Sequence, residues 1–301
     1  YALRGMLAGL DPHSEFLDQQ AISQLDEETS GKYVGIGIVI TTRLGKLQVI
    51  APLDGTPAAH AGIRAGDTII GINGKVVDPE ALTAASNSLR GPPGSKLQLT
   101  VLHSGDSQPV TIHLLRKHIK VPSVRSRLLA PGIAYLRISQ FQLDTAEDLS
   151  RQIGHLQKKY GPLRGAVLDL RSNPGGLLTA AVGVANEFLN HGTIVTTRGR
   201  VQQADLRFNA SPGDLLHGTP LVVLIDGGTA SAAEIVAGAL KDSQRAVLMG
   251  RRSFGKGSVQ TVIPLGNGAA VKLTTARYYT PDGTSIQARG IQPNVELADN
   301  L

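Results

Sequence analysis

Hydrophobic residues in the second half of the chain come as short unbroken runs separated by stretches of helical period. Leu221-Val222-Val223-Leu224-Ile225 is a continuous apolar run of strand length, and from Ser231 to Lys241 small and apolar residues recur at helical spacing. Ile133 to Ile138 and Ala166 to Asp169 likewise predict strands, while Thr145 to Tyr160 and Thr179 to Leu189 predict helices. Strands alternating with helices predict an α/β layer structure. The first half reads differently. Ile36, Ile38 and Ile40 alternate as in a half-buried strand, and glycine turns such as Gly66-Asp67 follow at short intervals.

The run ending at Ile225 is followed by Gly227-Gly228-Thr229-Ala230-Ser231, so the chain predicts strand, glycine turn and helix with Ser231 at the helix N-terminus. First-turn N–H groups have no intrahelical partner and the helix dipole favours negative charge there, so the Ala232 amide is placed to hold an oxyanion on an attacked carbonyl. Ser231-Ala232-Ala233-Glu234 is equally a capping box, an ordinary helix-start signal that needs no catalysis.

Twenty-five positions after Ser231 lies Lys256, within Phe254-Gly255-Lys256-Gly257-Ser258-Val259-Gln260. A lysine accepts a proton near neutrality only if burial disfavours its charged form, and Phe254 and Val259 suit an apolar pocket for it. Gly250 to Lys256 also has the spacing of a phosphate-binding loop, but Gly257 stands where Ser or Thr is required and Ser258 to Ile263 predicts a strand rather than a helix. Gln260 shares a face with Lys256; in a straight strand the two would stand ~13 Å apart, so contact requires the glycines to bend the chain. Asp169 to Leu178 contains paired glycines, Gly175-Gly176, after a strand; these expose backbone amides, although such a sequence is more often only a turn.

Gly228 to Leu240 followed by Phe254 to Gln260 resembles the carboxyl-terminal processing proteases, Ser/Lys endopeptidases of family S41 with an embedded PDZ domain. The resemblance implies Ser231 as nucleophile, Lys256 as general base, Gln260 as the residue orienting the lysine, and Gly175, Gly176 and Ala232 around the oxyanion. Ser172, Ser253 and Ser258 are expected to be dispensable by comparison. The family often has Asn and Ser where Asp226, Thr229 and Ala233 stand. Ala276 to Gly283 and Gly290 to Pro293 also look like the end of this protease core, and Leu10-Asp11-Pro12-His13-Ser14 matches an N-terminal stretch for which a helix-stop, structural role is expected.

Tyr33 to Ile38 resembles a PDZ carboxylate-binding loop, with Val34, Gly35, Ile36 and Gly37 as the tail-binding residues, and Ala51 to Asn73 resembles the centre of that fold. Arg90 occupies the place of a family arginine that links the PDZ domain to the active site; otherwise it reads as a turn-flanking surface arginine. The implied architecture is an α/β crotonase-like core with an inserted, β-rich α+β PDZ domain, divided as a helical segment at 1–30, the PDZ domain at 31–117 and the peptidase core at 118–301. Implied partners are proteins or peptides with accessible C-termini, an adaptor lipoprotein and further copies of the chain as a homo-oligomer; no cofactor is implied.

Composition adds little to this. Thirty-five glycines in 301 residues, about 12%, exceed the usual ~7% and fit many turns. The formal charge of +6 is scattered and aromatic content is 4%, so no nucleic-acid partner is expected. The absence of cysteine excludes disulfides and thiol catalysis, and the eight histidines form no His-Glu-x-x-His, so no metal is expected. No apolar run reaches the roughly eighteen residues of a membrane span. The chain starts at Tyr1 rather than methionine, which reads as part of a longer protein; the resemblance implies an exported, periplasmic bacterial protein whose signal is not in this chain. Two other functions compete: a catalytically silent PDZ scaffold for C-terminal peptides, and a nucleotide-binding module using Lys256.

Overall fold

The segments Ala134 to Ile138, Ala166 to Leu168 and Leu221 to Ile225 are the centre of a six-stranded sheet in the computed structural model, which describes residues 2–297. Positions 1 and 298–301, the ends of the first and last expected segments, lie outside the described residues. The strand order is Val124–Ala130, Ile133–Ile138, Gly165–Asp169, Leu221–Ile225, Val247–Gly250, Val295–Glu296. Only the first pair is antiparallel; the remaining neighbours run parallel. Parallel strands need crossovers, and helices that cover the sheet make the central strand Leu221–Ile225 apolar throughout, whereas Ile133–Ile138 carries Arg137 and buries alternate residues.

Three helices accompany this sheet. Thr145–Tyr160 buries Thr145, Leu149, Ile153 and Leu156, a one-sided stripe at steps of three and four. Leu178–Asn186 buries Ala180, Ala181, Val184 and Ala185. Ala232–Asp242 differs, because every residue from Ala232 to Leu240 is buried. A helix apolar all round belongs in the interior, and small side chains let it pack closely.

A second, antiparallel sheet is built around the long strand Ala269–Tyr279, which pairs with Glu15–Leu17, Thr193–Gly199 and Ser258–Leu265; Leu206–Asn209 continues it beyond Thr193–Gly199. The N-terminal piece is thus no separate helical segment. It contains the helices Ala2–Ala8 and Gln19–Ser30, but its strand Glu15–Leu17 belongs to this sheet, and the chain up to Gly31 forms one compact unit with Pro122 onward.

The other compact unit is Lys32–Val121, against the expected 31–117. The difference arises because Lys117–Lys120 pairs with Lys32–Gly35 and so closes the unit on itself. Its antiparallel sheet runs Ile38–Arg43, Lys46–Pro52, Thr68–Ile72, Lys96–Leu102, Val110–Leu115, with short helices at Pro57–His60 and Leu82–Ser88. Ile36, Leu47, Val49, Ile69, Leu97, Leu99 and Val101 form its core.

Candidate active site

Three neighbouring parallel strands, Gly165–Asp169, Leu221–Ile225 and Val247–Gly250, send their following loops out at the same sheet end. Those loops carry Gly175 and Gly176, Ser231, and Lys256. The carboxyl ends of parallel strands are where open α/β sheets place their ligand sites, since the loops there converge.

Hydrogen bonds join the loops to one another. Asp226 accepts from the Ser172 amide at 2.8 Å and the Gly228 amide at 2.9 Å, and Ser172 Oγ donates to its other oxygen. These bonds outweigh burial and hold its carboxyl below the usual carboxylate range. Thr229, fully buried, donates through Oγ1 to Leu170 O, while its own carbonyl accepts the Phe254 amide. The Ala230 amide bonds to Asn173 O. Upstream, buried Asp169 accepts from Tyr135, Arg137 and Arg171, bracing the start of the glycine turn.

Ser231 sits at the N-cap of Ala232–Asp242 with φ 54 and ψ −118. An ordinary cap residue is extended, so this is a strained turn of the kind that presents a nucleophile. The capping-box partner does more than cap. Glu234 is fully buried and accepts four hydrogen bonds: the Ser231 amide at 2.8 Å and the Lys256 amide at 2.9 Å on Oε2, and the Gly255 amide at 2.7 Å and Ser253 Oγ at 2.5 Å on Oε1. Burial nevertheless pushes the Glu234 carboxyl above its ordinary value. Ser253 in turn accepts the Ile291 amide at 2.6 Å, so it ties Glu234 to the segment at Ile291.

Lys256 is half-buried, and burial, followed by the charge of Lys272, pulls its pKa below the ordinary lysine value. The expected pocket wall is only partly present: Phe254 is 66% exposed, whereas Val259 packs against the core. The loop is held instead by close backbone contact. A Cβ on Gly257 would lie 2.4 Å from the Gln287 nitrogen, and the Gly257 carbonyl accepts from Tyr278.

Gln260 lies on the Ser258–Leu265 strand just after a bulge between Val259 and Gln260. Its Nε2 donates to Ser258 Oγ at 3.0 Å and to Thr274 Oγ1 at 3.2 Å.

Of the oxyanion residues, Gly175 packs hardest against the serine: a Cβ there would lie 2.8 Å from Ser231 Cβ and 3.0 Å from the Ala232 nitrogen. Its own N–H is engaged by Asn173 Oδ1 at 2.9 Å, so Gly175 gives proximity rather than a free donor. Among the described residues the Gly176 and Ala232 amides donate to no protein acceptor. Gly227 and Gly228 do not use the positive φ that their sequence permits.

In the 32–121 unit, Val34 and Gly35 pair with His118 and Lys117. Ile36 is buried with its carbonyl on the Ala58 amide, and Gly37, at φ 80, accepts from Leu53 N and Thr56 Oγ1. The Ile36 and Gly37 amides make no protein hydrogen bond among the described residues. The Arg90 guanidinium lies 5.3 Å from the Tyr33 ring centroid. Nearby, buried Arg116 donates to the carbonyls of Ser88, Leu89 and Lys96 and fixes the turn that carries Arg90.

Sequence reading missed Asn173, Thr229, Ser253 and the joining role of Glu234. The capping box was the one local signal for Glu234; the others act through partners distant in sequence.

Comparison with known proteins follows the same division. A family model described as peptidase family S41 matches residues 132–297, and one described as a PDZ domain matches residues 48–102. A carboxy-terminal-processing protease of Bartonella bacilliformis is 48% identical over 100% of this chain and 69% of its own length. A carboxyl-terminal-processing protease of Synechocystis is 38% identical over 97% of this chain and 69% of its own. Among solved structures, a photosystem II D1 C-terminal processing protease, 35% identical, superposes with a TM-score of 0.60 over 99% of this chain and 81% of that one.

Proposed function

The chain belongs to peptidase family S41 as a serine-type, carboxy-terminal-processing peptidase, and on that premise we propose that Ser231 is its nucleophile, Lys256 its base and Gln260 the residue that orients the lysine. Ser231 Oγ attacks the scissile carbonyl carbon as its proton passes to Lys256 Nζ. The carbonyl oxygen becomes an oxyanion held by the Ala232 and Gly176 N–H groups. Collapse of this intermediate breaks the C–N bond, and the leaving amine takes the proton from Lys256. Water then gives a proton to Lys256 and attacks the acyl-serine, and the proton returns to Ser231 Oγ as the ester breaks.

The observation that carries this reading is Glu234, whose single oxygen Oε2 accepts both the Ser231 and the Lys256 amides. A buried carboxylate makes such bonds at a large desolvation cost, and here it fixes a strained serine turn beside a partly desolvated lysine.

The 32–121 unit has the chemistry to receive substrate tails: a terminal carboxylate on the Ile36 and Gly37 amides, and an extended peptide along the edge strand Ile38–Arg43. Val34 and Gly35 set the start of that loop, and Arg90 couples tail binding to turnover. A crotonase-like core, an exported periplasmic location, an adaptor lipoprotein and a homo-oligomer belong to the same reading. A silent scaffold would bind tails without turnover. A serine-reactive phosphonate probe with intact-mass readout separates the two: one adduct on Ser231, absent in Ser231→Ala and slowed in Lys256→Ala, supports the peptidase site, and no adduct on the folded protein overturns it.

A further inference from the structure

The N-terminal Asp11-Pro12-His13-Ser14 turn does more than stop a helix. Asp11 Oδ1 accepts from the His13 and Ser14 amides at 2.8 and 3.1 Å, and Oδ2 accepts from Ser14 Oγ at 2.5 Å. The turn is therefore a small rigid knot, and it is attached to the strand Ala269–Tyr279 at one point. Ser14 Oγ accepts the Thr274 amide at 3.1 Å, and Thr274 Oγ1 donates to Asp11 Oδ1 at 2.9 Å. Thr274 stands directly opposite Gln260 in the register of the sheet.

A hydroxyl has one proton and two acceptor lone pairs, and an ionised carboxylate only accepts. With the Thr274 proton held by Asp11, the face of Oγ1 toward Gln260 is an acceptor, and it takes Gln260 Nε2 at 3.2 Å. The NH2 end of the carboxamide is thereby fixed toward Thr274 and Ser258, and its oxygen is left as the end able to accept from an ammonium or amine. Without Asp11, the threonine proton could turn toward Gln260 and the carboxamide could flip.

We propose that Asp11 is a positioning residue for Gln260, acting through Thr274 Oγ1, so that the N-terminal turn sets which end of the carboxamide is offered to Lys256. This rests on the reading of Gln260 as the lysine-orienting residue. The residues are 249 or more positions apart in sequence from Asp11, and the strand pair Glu15–Leu17 with Ala269–Tyr279 keeps them in register.

The test is a double-mutant set on the full chain, with kcat and KM measured on casein and folding checked by circular dichroism and melting. Thr274→Val keeps the shape and removes the hydroxyl; Asp11→Asn keeps the size and lets the side chain present a donor. Each is expected to lower kcat about tenfold with KM unchanged, about the effect of one lost hydrogen bond, while Thr274→Ser recovers most of the rate. In the Gln260→Ala background neither substitution should lower kcat further, because the group being positioned is gone. A merely structural turn would give additive losses in that background, and that result overturns the proposal. If Gln260→Ala is slow but Thr274→Val matches the parent, only the link through Thr274 fails. If Gln260→Ala itself keeps full activity, the role of Gln260 fails and this proposal with it.

Discussion

The Lys256 amide donates to Glu234 Oε2 at 2.9 Å, on the same oxygen that takes the amide of Ser231. One fully buried side chain on the first turn of a helix thus ties two loops that leave different strands. Glu234→Gln keeps the shape but replaces one accepting oxygen with a donor that faces donors. Leaving a buried N–H unpaired costs about 1–3 kcal/mol, so a lower melting temperature and a fall in kcat of about ten- to a hundredfold are expected. Steady-state kinetics together with calorimetry check this; parental kcat in Glu234→Gln would show that the tie has no part in turnover.

Ser231→Ala and Lys256→Ala should each lower peptidase turnover about 10³-fold or more while melting close to the parent, since one lacks the nucleophile and the other its base. Lys256→Arg is the sharper comparison. Arginine keeps the charge and cannot lose its proton in the accessible range, so it should be as inactive as alanine. Casein turnover by the folded arginine variant would exclude Lys256 as base.

Lys256 lies below the ordinary lysine value, first through burial and second through the positive charge of Lys272. A base works unprotonated, so kcat/KM should rise with pH through the Lys256 pKa and flatten above it. Lys272→Met removes one cause of the depression and also leaves the carboxylate of Glu15, its ion-pair partner, uncompensated. Both changes favour protonated Lys256, so the rising limb should move to higher pH and the rate at neutral pH should fall. A limb that stays in place or moves toward acid contradicts this assignment.

Neighbouring glycines should respond unequally to a methyl group. Gly175 has φ 105 and faces Ser231 Cβ at 2.8 Å from its own would-be Cβ, so Gly175→Ala should displace the serine and abolish probe labelling. Gly227 has open space around its would-be Cβ and no positive φ, so Gly227→Ala should label at the parental rate. Labelling followed by mass spectrometry decides; equal rates in both variants would remove the close-packing argument.

Arg90 lies over Tyr33 beside the proposed carboxylate loop. If it couples tail binding to turnover, Arg90→Ala should change activation by C-terminal peptides several-fold more than cleavage of a short peptide that needs no tail contact, because a ligand activates only by its differential affinity for the active state. Identical activation curves for parent and variant would remove Arg90 from that role.

Much of this was legible before any coordinates. The unbroken run Leu221 to Ile225 predicted a strand by its length, and the following glycines and Ser231-Ala232-Ala233-Glu234 marked turn and helix start, because those signals are local. Lys256 and Gln260 were legible through the family resemblance. Less legible was the division of the chain: residues 15–17 are too short to show a period, and their place beside Ala269–Tyr279 depends on pairing across more than 250 positions.

By itself the sequence determined which segments become strands and helices, since apolar period, caps and glycine turns are properties of neighbours in the chain, and it marked Ser231, Lys256 and Gln260 as candidates for the chemistry. Tertiary structure decided how those residues are held. That Gly175 lends closeness while its amide is bound by Asn173, that Phe254 lies open to solvent while Lys256 is half-buried, that Ser253 ties to Glu234, and that Asp11 reaches Gln260 through Thr274 all follow from hydrogen bonds and contacts between loops far apart in sequence. Such partners are chosen when parallel strands bring their carboxyl ends together and buried polar groups must find acceptors there.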